Sequence, residues 1–474
     1  MHPGAVLTSL LSLAAVAGVW CWSRYERFGD ARLTQQTTTE ATASLRRGDE
    51  AHKAALASLE QEKRDAVQTL ERENTTLRQQ LAEAIEAAKP PPKPGEIAAR
   101  VLALRELAFR LKPVWTASTP EEITQRLSSQ AAAGLTPEQA DARMRACVAM
   151  GWVSAPFDYT AALAGLAAMK PGGFFEPGTG KFYFQSEASL ARADSREVFA
   201  GALLPMLLEQ NFGNAAPPPE PGNDDDLLAR KSLALGDANY TRVQFSIGDP
   251  MHTNFDRGQA PATPPPSPNA PAFLTAMWKW SEDAGNLFVQ AIHRKGGYTA
   301  VNNAYSRPPR SSAEILHPDA LYLANPPFVP VSVSFPDTIV NGIAALHTNV
   351  AGEIGAYEHV RTFADVDYAT TATEGWAGDR YALWAGSKEH GDHLLWRSVW
   401  TTEKDAREFF DALRRGVMQR HLIPWQKEYD ASPDQFHVDD PHRVIRLRRT
   451  GNTVTLVDAT DAAFAKALEE KFPP

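Results

Sequence analysis

His390, Asp392 and His393 are residue types that can bind a metal ion, and His390-Gly-Asp-His393 is the one tight cluster among the 12 histidines. Imidazole and carboxylate together suit a divalent transition metal. The cluster sits beside Lys388 and Glu389 in a loop-like stretch. A solvated turn is therefore the better reading, and a relocated metal site is the alternative. His317 precedes a proline and reads as a packing or capping residue, not a catalytic one. Glu353 and the adjacent Asp379 and Arg380 are candidates to line a binding cleft, with a structural ion pair as the competing reading. The sequence contains no His-Glu-x-x-His, no Gly-x-Ser-x-Gly elbow and no P-loop. Cys21 lies in an apolar run and Cys147 in an expected helix, so they form neither a disulfide framework nor a nucleophile site. No cofactor is expected.

The 474 residues leave room for a large body plus accessory segments, and 43% apolar residues suffice for a sizeable core. A net charge of -9 argues against a nucleic-acid partner. The basic run His442–Arg449 alternates along the chain and reads as a charged edge strand.

The N-terminal fifth is organised differently. Residues 1–32 contain the uncharged run Val6–Trp22, 17 residues long. Helical rise makes that about 25 Å, the short end of a membrane span. Trp20 and Trp22, then Arg24 and Arg27, resemble an interfacial flank. The expectation is an uncleaved single-pass anchor in a bacterial cell envelope, with the membrane as partner. The flanks leave open which side the body occupies. Residues 33–88 thread a heptad with Leu56, Lys63, Leu70, Leu77 and Ala84 at d and Val67, Asn74, Leu81 and Ala88 at a. Asn74 suits a parallel homodimer, because its amide can pair across the seam. A single solvated helix is the alternative. The proline-rich segment 89–95 ends the stalk and acts as a stiff spacer.

Beyond it, the pattern predicts a helix over 96–112 and two helices opened by Thr119-Pro120 and Thr136-Pro137. An aromatic hairpin follows over 172–184, then helices 195–210, 227–245 and 272–294, the last stopped by Gly296-Gly297. Strands are expected at 328–335, 380–384 and 394–401, a helix at 403–417, a hairpin of 444–447 with 453–457, and a closing helix at 461–471. Helices and strands in irregular order indicate the α+β class.

Five phrases in this stretch resemble a family of uncharacterised prokaryotic zincin-like metallopeptidases. They are Gly173-Phe174-Phe175-Glu176-Pro177, Gln210 with Phe212, Gly236-Asp237-Ala238, Pro308 to Pro318, and Gly375-Trp376-Ala377-Gly378-Asp379-Arg380. The resemblance spans roughly residues 96–420 and implies a zincin-like, mainly helical body with small β elements. It also implies a zinc-binding helix at Phe199–Phe212, yet the two histidine positions hold Gly201 and Pro205. The glutamate position holds Ala202, and Leu235 stands where the family has its third ligand. Two histidines at i and i+4 bind zinc while the glutamate activates water. None of that is carried here.

The resulting expectation is a membrane-anchored, non-catalytic metallopeptidase-like protein. Its body (96–425, followed by a C-terminal hairpin and helix at 426–474) would serve as a binding or scaffold module for a protein or peptide partner. The alternatives are a hydrolase using His390, Asp392 and His393, and a structural envelope protein working through its coiled coil.

Overall fold

The computed structural model describes residues 58–81 without 79, 91–169, 172–247 without 214 and 217, 270–387, 390–424, 426 and 429–473. The chain divides into two units, Met1–Leu81 and Ala82–Pro474. In the first, residues 58–81 form a helix. Its Val67, Leu70, Leu77 and Leu81 are all exposed. The rest of the expected stalk before residue 58, and the apolar run Val6–Trp22, lie outside the described residues.

The expectation of a transmembrane helix, and with it a membrane partner and single-pass localisation in a cell envelope, is corrected. Among the described residues, no helix is long and apolar enough to cross a membrane. The described N-terminal helix carries Glu60, Lys63, Arg64, Asp65, Glu71, Arg72 and Glu73 within four turns, and burying such charges in hydrocarbon is costly.

The second unit starts with α1 (Pro94–Arg105), shorter than predicted because Glu106 takes a left-handed conformation, φ 57°. Next comes β1 (Val114–Ala117). α2 (Pro120–Ala132) and α3 (Pro137–Ala149) begin as the sequence requires, with capping boxes at Thr119/Glu122 and Thr136/Gln139 and proline in the first turn. α4 (Tyr159–Ala167) is capped by Asp158. The aromatic hairpin forms as β2 (Phe174–Phe175) and β3 (Lys181–Phe184), and β1 adds to β3 in parallel. That pairing had no local signal.

Three long helices follow: α5 (Ala193–Phe212), α6 (Asp224–Ile247) and α7 (Ala272–Ser306). α5 runs on through Pro205, which lies on its exposed face. α7 breaks at Gly296-Gly297 and resumes, since Gly297 has φ 60°. α5 packs in an apolar cluster with α1 and β3 through Phe199, Leu203, Leu207, Val101 and Phe182. α6 and α7 approach closely because Gly236 and Gly285 face each other: a Cβ at either would overlap the other helix's backbone. The short α8 (Ser312–Leu316) closes this half.

The remainder is built on an antiparallel sheet. β4 (Ile339–Val340) and β5 (Ile343–Ala344) form a small separate hairpin. β6 (His347–Asn349), β7 (Trp376–Ser387), β8 (Gly391–Trp400), β9 (Asp430–Ser432), β10 (Gln435–Asp440), β11 (Arg443–Thr450) and β12 (Thr453–Ala459) form the seven-stranded sheet, in order β6-β7-β8-β12-β11-β10-β9. Helices α9 (Gly352–Arg361), α10 (Val366–Thr373) and α11 (Glu403–Arg420) cover one face, and α12 (Ala462–Lys471) covers the other.

The period-two pattern of the strands makes this possible. Leu383, Leu394, Trp396 and Leu456 meet the three helices, whereas Ala382, Trp384, Leu395 and Val457 meet Phe464 and Leu468 of α12. Segment 328–335, expected as a strand, instead runs beside β7 with a bond from Val331 N–H to the Ala377 carbonyl at 2.7 Å. The α+β class itself fits the described elements.

Two substitutions test these contacts. Gly236→Ala forces α6 and α7 apart and should cost about 1–3 kcal/mol in denaturant unfolding. Asp237→Asn leaves the buried Arg105 guanidinium without its counter-charge. Its loss should be larger, about 3–5 kcal/mol, read in the same experiment.

Candidate functional site

On the face of α5 that would carry a zinc motif, Gly201 is packed against a neighbouring helix and Pro205 is open to solvent. Gly201 lies against the aliphatic part of Arg242, with 3.1 Å from an added Cβ to Cδ. Arg242 is paired with Glu197 and donates to Asn239 Oδ1 at 2.7 Å. Ala202 is half-buried in the α1/α5 cluster, Pro205 is exposed, and Leu235 is half-buried on α6. Two residues beyond Leu235, Asp237 accepts both Nε–H (2.8 Å) and Nη2–H (2.9 Å) of Arg105, and Tyr305 donates its hydroxyl at 2.8 Å. Among the described residues, no group of three His, Cys, Asp or Glu side chains is placed to hold a metal ion.

The three residues of the His390 cluster point to different partners. Asp392 is bound by the Arg145 guanidinium, with Nε at 2.8 Å. His393 is buried, accepts Thr460 N–H at Nδ1 (3.1 Å) and stacks on Phe464. The His390 ring stacks on His442.

The other sequence candidates converge. His317 and Glu353 are joined by a 2.8 Å hydrogen bond. The bond to Glu353 raises the His317 pKa, and burial raises that of Glu353. Asp379 is buried at the start of α9, where it accepts the backbone N–H of Ala351 (3.0 Å) and Gly352 (2.9 Å). The indoles of Trp376 (3.1 Å) and Trp396 (2.9 Å) also donate to it. An aspartate on β7 thus neutralises the N-terminal N–H groups of a helix. Arg380 turns away, donating to the Val333 carbonyl (2.6 Å) and to Glu220 (3.0 Å). Asp379 and Arg380 line a polar cavity of 290 Å³ with Glu220, Asp226, Arg230 and Arg310.

Asp225 forms part of the wall between that cavity and a second one. Its two oxygens each accept Ser312 N–H at 3.1 Å, and they lie so close to Gly352 that a Cβ there would overlap them. Burial, aided by the charges of Asp379 and Glu353, pushes its pKa up to about 8.

The second cavity, of 190 Å³, was not legible in the sequence. α3, α4, α6, the start of α7 and the β6–β7 edge each contribute to it. Its rings are Trp152, Tyr159, Phe273, Trp278 and Tyr381. Trp152 stacks flat on Phe273 (4.8 Å, 6°) and meets Tyr381 edge-on at 6.1 Å. At one end Arg143 and Asp224 form a two-bond ion pair, with Nη2 to Oδ1 at 3.0 Å. Burial lowers His347 to about 4, so its ring is neutral at physiological pH. Burial likewise raises the Cys147 thiol to about 12, so it is no thiolate nucleophile. These residues are scattered from 143 to 381, and no local pattern in the sequence groups them.

A family model described as a domain of unknown function (DUF8575) matches residues 339–469. The match runs from β4 into α12 and includes Glu353, Asp379, Arg380, His347 and Tyr381. It leaves out α5 and α6, where the metallopeptidase resemblance centred, and indicates no metallopeptidase. Neither the curated proteins nor the solved structures include a match to this chain.

Asp225 supplies a pH test. The folded chain holds a proton that an ordinary aspartate releases near 3.8. Its stabilising contribution is therefore full below that pH and is lost as pH rises through about 8. Asp225→Asn keeps an acceptor for Ser312 N–H and does not titrate. Its melting temperature relative to wild type should climb steadily from about pH 4 to pH 8. A difference that stays constant with pH would show that Asp225 is ionised throughout.

Proposed function

We propose that the body of this protein is a non-catalytic binding module, a relative of zincin-like peptidases that holds a ligand without cleaving it. The observation that carries this reading is the surroundings of Gly201. The position that would need an imidazole aimed at a metal is closed by the Arg242 stem, and Arg242 is itself fixed by Glu197 and Asn239. A Cβ at 201 would press on the stem of an ion-paired arginine, which would have to give by a few tenths of an ångström.

The same cleft region supports binding over chemistry. Asp379 has four N–H donors and serves as a helix cap, so its oxygens are already engaged by the fold, and burial holds its pKa above the usual aspartate value. Asp392 is committed to Arg145, so the relocated metal site is not favoured. The aromatic cavity provides the apolar, shaped surface that a ligand needs.

Elemental analysis of the purified chain is expected to find no stoichiometric zinc. A chelator should leave the melting temperature unchanged, and a generic peptidase assay should give no turnover. One zinc per chain, or hydrolysis lost with chelator, would overturn the reading.

A further inference from the structure

The aromatic cavity is polar at both ends and apolar between them. α6 forms one wall, and Asp224, Leu228 and Lys231 follow one another on the same helical face. The two ends therefore stand about 10 Å apart by helical rise.

At the first end, Arg143 and Asp224 satisfy each other. What is left over is the hydroxyl of Tyr381. This residue is 4% exposed and lines the cavity, and its hydroxyl has no hydrogen-bond partner among the described residues. The hydroxyl is not sealed off from the cavity space, so a ligand's hydrogen-bonding group can reach it.

At the second end, Lys231 is solvent-exposed, with Nζ 4.3 Å from the Trp278 ring centre. It has no carboxylate within ion-pair distance among the described residues. The acid closest to it electrostatically, Glu282, accepts Trp278 Nε1–H at 3.3 Å. Between the ends lie the Trp152–Phe273 stack and Leu228, surfaces that a flat ring covers better than water does.

We propose that this cavity binds a planar aromatic acid, with its carboxylate at Lys231 and a hydrogen-bonding group on its far edge at Tyr381. A cationic ligand would meet Lys231 and Arg143 and find no open carboxylate. Asp224 is closed by Arg143, and Asp225 is turned to Ser312 and held neutral by burial. The proposal deepens the binding-module reading and rests on it.

The test is calorimetric titration of the full chain with 6-hydroxy-2-naphthoate, 2-naphthoate and 6-hydroxy-2-naphthamide. The hydroxy acid should bind saturably, one per chain, and the other two about tenfold more weakly, 2-naphthoate for want of one hydrogen bond and the amide for want of one charge-assisted contact. Lys231→Met should bring the hydroxy acid down to the level of the amide. Tyr381→Phe should bring it down to the level of 2-naphthoate while leaving 2-naphthoate itself unchanged. Lys231 is on the surface, so its variant remains informative if the Tyr381 variant misfolds.

No saturable binding of any probe would overturn the proposal. So would tighter binding of the matching naphthylmethylammonium, or equal weakening of both acids by Tyr381→Phe. A peptide ending in a free aromatic residue, titrated in parallel, separates a chain terminus from a free acid as the carrier of this chemistry, and binding of either supports the site. Zinc found in the same sample would overturn the non-catalytic reading alone, so the two failures are distinguishable.

Discussion

The helical half of the body depends on one fully buried ion pair. Arg105 at the end of α1 and Asp237 in the middle of α6 are both inaccessible to solvent, and two guanidinium N–H groups meet two carboxylate oxygens. Taking both charges out of water is costly, and only good geometry with further hydrogen bonds offsets it. The structure supplies these to the aspartate, while Arg105 Nη1 stays buried without a partner among the described residues. Tyr305 from the end of α7 donates to Asp237, Thr241 lies one turn along α6, and the Tyr298 ring sits 4.5 Å from the guanidinium carbon. Tyr305 in turn stacks flat on Phe212 at the end of α5. One charge pair thereby fixes how four helices end or cross, and the Gly236–Gly285 contact sets how near two of them come.

The sheet half has its own polar centre, and the two halves join through it. Asp379 holds the start of α9 against β7 and β8 by way of two backbone N–H groups and two indoles. Gly352, with φ 72°, lets Asp225 of α6 approach where any side chain would block it. Ser312 adds its backbone N–H to Asp225 and its hydroxyl to Ile354 N–H. Acids from α6 and β7 and backbone from α8 and α9 are thus locked together. The aromatic cavity and the polar cavity lie on either side of this lock, and Asp225 is in the wall of both.

Local chemistry was read well wherever local rules decide. Thr119-Pro and Thr136-Pro start helices because the threonine hydroxyl caps the first turn and proline has no N–H to lose there. The Thr450-Gly-Asn452 turn closes the β11–β12 hairpin. The importance of Gly375 to Arg380 was also visible as a phrase, though not its reason, which is a cap for a helix more than twenty residues earlier in the chain. Less was legible where distant segments compete. α1 stopped early, β1 found a parallel partner far along the chain, and 328–335 stayed outside the ladder. The membrane-spanning expectation finds no support among the described helices.

By itself the sequence determined where most described elements lie and the α+β class. Caps, turns and periodicity act within a few residues, so they can be read without the fold. Only tertiary structure decided what packs around Gly201 and where the cavities lie. Arg242 comes to Gly201 from another helix. The cavity rings come from α3, α4, α7 and β7 and the turns beside them, over more than two hundred residues of chain. A cavity is set by which faces remain uncovered once every helix and strand has buried its apolar side, and no local pattern in the chain encodes that remainder.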